Sequence, residues 1–128
     1  VYGTQMRAIA MTLEGDQVLQ DLAAYIATLE SPPAPATIVG ADLAAGKASY
    51  ALCQACHAPG GTGNEALNTN SLVGQHDWYV ERQIFNYRDA VRGASPQDIF
   101  GAQMRPMVGT LTNDEAVTNV AAYIKSLQ

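Results

Sequence analysis

Apolar residues recur at three- and four-residue steps along residues 12–29, with polar or small residues between them. These apolar positions are Leu19, Leu22, Ala23, Ile26 and Leu29. Because an α-helix makes one turn in about 3.6 residues, this spacing puts the apolar side chains on one face. The pattern predicts an amphipathic α-helix over 12–29.

A proline-rich stretch follows, with Pro32, Pro33 and Pro35 close together. Proline lacks the amide donor that a helix needs and favours an extended backbone. We therefore expect residues 31–40 to form a linker, with residues 1–30 and 41–128 belonging to different domains.

A second helix is predicted from Asp42, whose carboxylate can cap it, up to Cys53. Gly46 lies inside this helix, where glycine costs about 1 kcal/mol relative to alanine. That cost is explained if another helix packs closely against Gly46 and against Tyr50, one turn further along the same face. We expect the last helix to be this partner.

The last helix has the strongest sequence pattern. Residues 112–115, Thr-Asn-Asp-Glu, form a capping box with Thr112 as the predicted N-cap. Its buried stripe is predicted to consist of Val117, Val120, Ala121, Ile124 and Leu127. Tyr123 of this helix can reach Gly46 and Tyr50.

The middle of the chain alternates between loops and one further helix. Residues 58–64 and 101–107 are predicted to be loops, the first because of its glycines and proline. Between them, Asp77 can cap a helix that runs from Trp78 to about Val91. Its predicted stripe is Val80, Ile84, Tyr87 and Val91. Since no stretch has a strand pattern, the predicted fold class is all-α.

Residues 53–57, Cys-Gln-Ala-Cys-His, form a C-x-x-C-H motif, which is typical of covalent attachment of a c-type haem. Each thiol can add to one vinyl group of the haem, and the imidazole of His57 can bind the iron. A thioredoxin-like redox pair would need a βαβ context that the sequence lacks. The motif predicts one haem c, bound through Cys53 and Cys56. We expect Leu67 and Leu72 to contact the haem or to close its pocket.

The length and the net charge of the chain limit the number of domains it can form and the kinds of partner it can bind. The chain has 128 residues, enough for about one domain core, to which a haem would add apolar bulk. Its net charge of -5 argues against binding to nucleic acid. No stretch approaches the roughly 18 apolar residues of a transmembrane segment.

The order of these features over about residues 40–128 resembles the class I cytochromes c, whose helices wrap around one covalently attached haem. The similarity is greatest to the small diheme bacterial cytochromes of the c-four group. The features that carry it are Leu72-Val73-Gly74-Gln75, Tyr79, Gln83 and the stretch 104–123. The resemblance implies periplasmic electron carriage with a histidine and a methionine as axial ligands.

The resemblance also implies which methionine binds the iron. Met104 precedes Thr112 by eight residues, the separation at which the family's ligand methionine stands, and Pro106 stiffens its loop. Met107 is a rival ligand, or else a flexible apolar filler. His76 is the other rival and would give a bis-histidine site.

Two contacts are expected to support the haem. A ligating imidazole needs an acceptor for its second ring nitrogen, so we expect a backbone carbonyl in residues 64–72 to accept the Nδ1 proton of His57. Arg105 either pairs with a haem propionate or is solvated.

Two axial ligands would leave no open position for oxygen, peroxide or a substrate. We therefore predict a carrier of single electrons, not an enzyme, between a donor complex and a terminal oxidase or reductase. Two alternatives are a cytochrome subunit or domain of a larger dehydrogenase or oxidase, and a haem enzyme with an exchangeable sixth ligand. The predicted location is the periplasm, either in solution or on a membrane complex.

Residues 2–30 repeat residues 100–128 at a constant offset of 98, without a gap. Any two amphipathic helices share an apolar stripe, but residues 3–7, Gly-Thr-Gln-Met-Arg, also match residues 101–105, Gly-Ala-Gln-Met-Arg. We predict that residues 1–30 are the ligand loop and last helix of a preceding cytochrome c domain, with Met6 as its orphan ligand, and that the intact protein holds a second haem. Otherwise these residues pack on another chain or on the second domain.

Overall fold

The structure, a computed structural model, describes residues 2–30, 32 and 35–127. The chain divides into two compact units, residues 1–32 and 33–128. Part of the predicted linker, at Ser31, Pro33 and Ala34, lies outside the described residues. No helix within the described ranges is both long enough and apolar enough to cross a membrane.

The fold is all-α, as predicted. The helices are α1 (Tyr2–Ala10), α2 (Asp16–Thr28), α3 (Leu43–His57), α4 (Asp77–Arg88), α5 (Ile99–Val108) and α6 (Asp114–Ser126), with a 3-10 turn at Glu65–Leu67. The helix predicted over 12–29 is shorter, because Gly15 has a φ of 86° and stands before α2. The periodic apolar pattern begins after α1 and therefore did not predict that helix.

In the second unit, α6 packs against α3 and α4, and α4 also packs against α5. The buried core consists of Tyr50, Val80, Ile84, Val108, Leu111, Val117, Val120, Ala121 and Ile124, with Leu127 packed against it. The predicted stripe of α6 is therefore confirmed. Its predicted cap is wrong by one residue: Asn113, not Thr112, has the extended backbone of an N-cap and accepts a hydrogen bond from the Ala116 N–H at 2.8 Å.

The predicted close approach of α3 and α6 occurs at Gly46. A Cβ at this position would overlap the carbonyl oxygen of Asn119 and lie 2.8 Å from the Cβ of Tyr123. One turn further, the ring centroids of Tyr50 and Tyr123 are 5.5 Å apart. The buried Asn119 side chain accepts a hydrogen bond from the Asp42 N–H at 2.9 Å, which ties α6 to the start of α3.

Replacing Gly46 with alanine should lower the free energy of unfolding by about 2 kcal/mol, because the added methyl group forces α3 away from the α6 backbone. Denaturant unfolding of the haem-loaded protein measures this loss. Lys47→Ala, on the exposed side of the same helix, should change stability by less than about 0.5 kcal/mol. A gain in stability for Gly46→Ala, as helix propensity alone would give, would contradict the close crossing.

The bounds of α4 differ from the prediction at its C-terminal end. The helix ends at Arg88, and Ala90 takes a left-handed conformation with a φ of 58°. Val91, predicted to belong to the buried stripe, therefore lies beyond the helix and is 72% exposed. Val80 and Ile84 are buried as predicted.

Asp77 is the first residue of α4 rather than its cap, and His76 occupies the N-cap position. The buried Asp77 carboxylate accepts hydrogen bonds from the backbone N–H groups of Thr37 and Ile38, at 2.6 and 2.8 Å, and from the Thr37 hydroxyl at 2.6 Å. Burial by itself raises the pKa of Asp77, but these bonds and one from the Trp78 N–H lower it to about 2. The carboxylate thereby anchors the chain before α3 to the start of α4.

Residues 101–107, predicted to be a loop, lie within α5. The Asp98 carboxylate caps this helix by accepting a hydrogen bond from the Gly101 N–H at 2.8 Å. Pro106 lies inside the helix, where it cannot donate the usual N–H bond to the carbonyl four residues earlier, at Ala102. Met104 is consequently held on a helix rather than on a free loop.

Candidate haem site

A cavity of about 340 Å³ lies in the second unit, among residues of α3, α4, α5 and α6 and of the segment 67–75. Its wall includes both cysteines, His57 and Met104. Apolar side chains complete much of the wall, among them Leu67, Leu72, Ile84, Val108, Leu111, Val120 and Ile124. An apolar cavity that carries two thiols, an imidazole and a thioether has the groups that a c-type haem requires.

The cysteines and the histidine lie in the last turns of α3. Cys56 and His57 follow Cys53 by three and four residues, so the helix brings all three side chains to the same face. Cys53 is partly buried and Cys56 is exposed. In the free thiol form, burial raises the pKa of Cys53.

The His57 ring is buried and oriented by one hydrogen bond. Its Nδ1 lies 3.0 Å from the carbonyl oxygen of Asn70, so Nδ1 carries the proton and donates it. This leaves Nε2 with the lone pair that a metal needs. The acceptor falls within residues 64–72, as predicted.

Three further bonds fix the end of α3 to the loop that follows it. The Thr69 hydroxyl donates to the Cys56 carbonyl at 2.6 Å, and the Gly63 N–H donates to the His57 carbonyl at 2.9 Å. The Tyr50 hydroxyl, whose pKa is raised by burial, donates to the Ala58 carbonyl at 2.7 Å. The backbone carbonyls of His57 and of its two neighbours, Cys56 and Ala58, therefore each accept a hydrogen bond that fixes the end of α3.

The candidates for the second axial position differ in exposure and in their place relative to the cavity. Met104 is partly buried, packs against the core and lines the cavity. Met107 also lines the cavity but is 40% exposed. His76 is exposed and does not line the cavity; its ring centroid lies 5.6 Å from that of Trp78. Met6 lies in α1 of the first unit, where it is exposed.

The sequence predictions placed none of the following polar residues at the haem, although they lie on the cavity wall. They are Gln75, Gln83, Arg92, Asp98 and Gln103. Arg105, the predicted candidate for a haem propionate, is exposed and is not part of the wall. Gln83 stands one turn after Tyr79 on α4, so the helical period could have predicted that both face the cavity. Arg92 lies outside any helix, so no helical period could have predicted its place on the wall.

Comparison with known proteins assigns a family to residues 43–128, which match the family model named Cytochrome c. Over 124 residues the chain is 33% identical to cytochrome c4 of Azotobacter vinelandii, covering 88% of the chain and 55% of that protein. Cytochrome c4 of Thiocapsa roseopersicina is 31% identical over 134 residues, covering 96% of the chain and 65% of that protein.

A third relative carries a functional name. The protein named thiosulfate dehydrogenase electron acceptor, from Stutzerimonas stutzeri strain A1501, is 33% identical over 135 residues, covering 95% of the chain and 58% of that protein. The chain thus spans little more than half the length of the first relatives it matches.

Proposed function

Because the chain belongs to the cytochrome c family and is of the cytochrome c4 type, we propose that it carries single electrons between redox proteins. It holds one haem c covalently, and the spacing of Cys53 and Cys56 fits the two thioether bonds. When bound, the haem supplies an iron that gains and loses one electron. The main support is that His57 and Met104 lie on the wall of the cavity that carries both cysteines.

In this proposal His57 and Met104 are the axial ligands, and each has a distinct task. The hydrogen bond to Asn70 fixes the tautomer and the orientation of the His57 ring, so that Nε2 would be available to bind the iron. The Met104 thioether is a soft ligand that favours ferrous iron and therefore raises the reduction potential. With both positions filled, no substrate can bind the iron, which makes the protein a carrier rather than an enzyme.

A ferric absorption spectrum tests this coordination directly. Methionine ligation gives a weak far-red band from sulfur-to-iron charge transfer, and we expect this band in the oxidised protein. Its absence would favour the haem enzyme with an open or exchangeable sixth position.

An exposed apolar rim around the cavity supports brief contact with partner proteins. Leu52, Phe100 and Met107 line the cavity and are also exposed. Small exposed apolar patches are typical of transient docking surfaces, and electron-transfer complexes have small interfaces.

The name of the relative from strain A1501 supports a dehydrogenase as electron donor, whether this chain acts as a free carrier or as a fixed subunit. Because haem is attached to reduced thiols outside the cytoplasm in this family, we place the protein in the periplasm.

Covalent attachment predicts that the haem stays with the polypeptide in acidified organic solvent, which extracts haem that is not covalently bound. The measurement is the haem absorbance of the protein and solvent fractions. In the double variant Cys53→Ala and Cys56→Ala, all haem that binds should move to the solvent. Free extraction from the unmodified protein would show that the cysteines do not hold the haem.

We also propose that residues 1–30 end a preceding haem domain. The support is the repeat of 2–30 in 100–128, together with matching helices: α2, at Asp16–Thr28, corresponds at the offset of 98 to α6, at Asp114–Ser126. Met6 is then the counterpart of Met104.

A further inference from the structure

The propionates of a c-type haem are carboxylates that must be accommodated at the cavity, and burying a carboxylate is costly unless a cation or several donors pair with it. Among the described residues, Arg92 is the single lysine or arginine on the cavity wall. We propose that Arg92 is the residue that binds a haem propionate. This inference rests on the haem attached at Cys53 and Cys56 and does not depend on which methionine binds the iron.

The guanidinium of Arg92 is held by two residues of α4 that also line the cavity. Its Nη1 donates to Oε1 of Gln83 at 2.7 Å, and its Cζ lies 4.6 Å from the centroid of the Tyr87 ring. Gln83 uses one of the five N–H donors of the guanidinium. Stacking on an aromatic ring fixes the plane of the group, which suits binding of a flat carboxylate.

The backbone around Arg92 is fixed as well. Its N–H donates to the carbonyl of Asn86 at 2.9 Å, and the Gly93 N–H donates to the Asp98 carboxylate at 3.1 Å. Gly93 has a φ of 71°, and a Cβ there would overlap the carbonyl oxygen of Gly101 in α5. The loop after α4 is thus pinned to the helix that carries Met104. Such pre-organisation lowers the entropic cost of binding a charged group.

The charges around the cavity favour Arg92 over Arg105. Both arginines are exposed, but Arg92 lies on the cavity wall and Arg105 does not. Asp98, the one carboxylate that the described part of the chain places on the wall, is already engaged by the N–H groups of Gly93 and Gly101. A propionate near Asp98 would be repelled unless a cation stood close by, and Arg92 is the cation in place.

The pairing has a consequence for the reduction potential. A negative propionate near the iron favours the ferric state, and a cation that neutralises it shifts the balance towards the ferrous state. Arg92 should therefore raise the reduction potential of the haem.

The test compares Arg92→Gln and Arg92→Lys in the haem-loaded protein. Arg92→Gln should lower the midpoint potential and shift the propionate bending band in the resonance Raman spectrum. Arg92→Lys keeps the charge but loses the planar geometry, so it should keep most of the potential and still shift the Raman band. Arg82→Gln, an equal charge change on the exposed side of α4, gives the background effect on the potential and should leave the Raman band unchanged.

Three results would overturn the assignment. The first is a fall in potential for Arg92→Gln no larger than for Arg82→Gln. The second is a Raman shift produced by Arg105→Gln and not by Arg92→Gln. The third is loss of the far-red band in Arg92→Gln, which would mean that the substitution acts through the axial ligand. A missing far-red band in the unmodified protein would instead contradict methionine ligation, while the Raman comparison would still test Arg92.

Discussion

In the 128-residue chain, which holds one haem, replacing Met104 with alanine should abolish the far-red band of the ferric protein and lower its reduction potential. The alanine side chain cannot reach or bind a metal, so the sixth position opens to water or to an added ligand. Since axial ligands control the potential strongly, we expect a fall on the order of a tenth of a volt. Absorption spectroscopy and a redox titration measure the two effects on the same sample.

Met107→Leu is the matched control, because Met107 lines the same cavity three residues further along α5. This swap nearly conserves volume and should leave both the band and the ligation unchanged. The reverse pattern, with the band lost in Met107→Leu and kept in Met104→Ala, would make Met107 the ligand. If neither variant changed the spectrum, replacement of His76 would be the next test, although His76 is exposed and off the cavity wall.

The parts of the fold that the sequence predicted well are those in which local and tertiary preferences agree. The apolar stripe of α6 is buried because its period of three and four residues matches the helix that forms. Gly46 was informative because glycine is unfavourable in a helix, and the α6 backbone does lie against it. The C-x-x-C-H motif identified the cofactor because its chemistry requires that spacing.

The failures have physical causes that lie outside the local sequence. Residues 101–107 were predicted to be a loop that Pro106 stiffens, yet the Asp98 carboxylate caps a helix there. Aspartate is a common N-cap residue, but Asp98 precedes that segment and was not considered as its cap. Arg92 was missed because its position on the cavity depends on Gln83, Tyr87 and the turn after α4. A contact made through tertiary structure leaves no periodic pattern.

If residues 1–30 end a preceding haem domain, as proposed above, the longer protein that contains them should carry two haems. At the offset of 98, the apolar positions Leu19, Leu22 and Ile26 of α2 correspond to Val117, Val120 and Ile124 of α6. The α6 residues are at most 4% exposed, whereas Leu22, the least exposed of the three in α2, is 39% exposed. An amphipathic helix is stabilised mainly by packing of its apolar face, so the exposed face of α2 supports the proposal that the rest of a haem domain covers it.

Carrying Cys53 back by the same offset puts the first cysteine of a second C-x-x-C-H roughly 46 residues before Val1 in the encoded protein. Expressed from the whole gene, the product should contain two haems per polypeptide, measured by haem assay and intact mass. Met6→Ala and Met104→Ala should then each remove about half of the far-red band, and the double variant should remove all of it. A product with one haem, or a band that Met104→Ala alone abolishes, would mean that Met6 is not a ligand and that residues 1–30 cover their apolar face in another way.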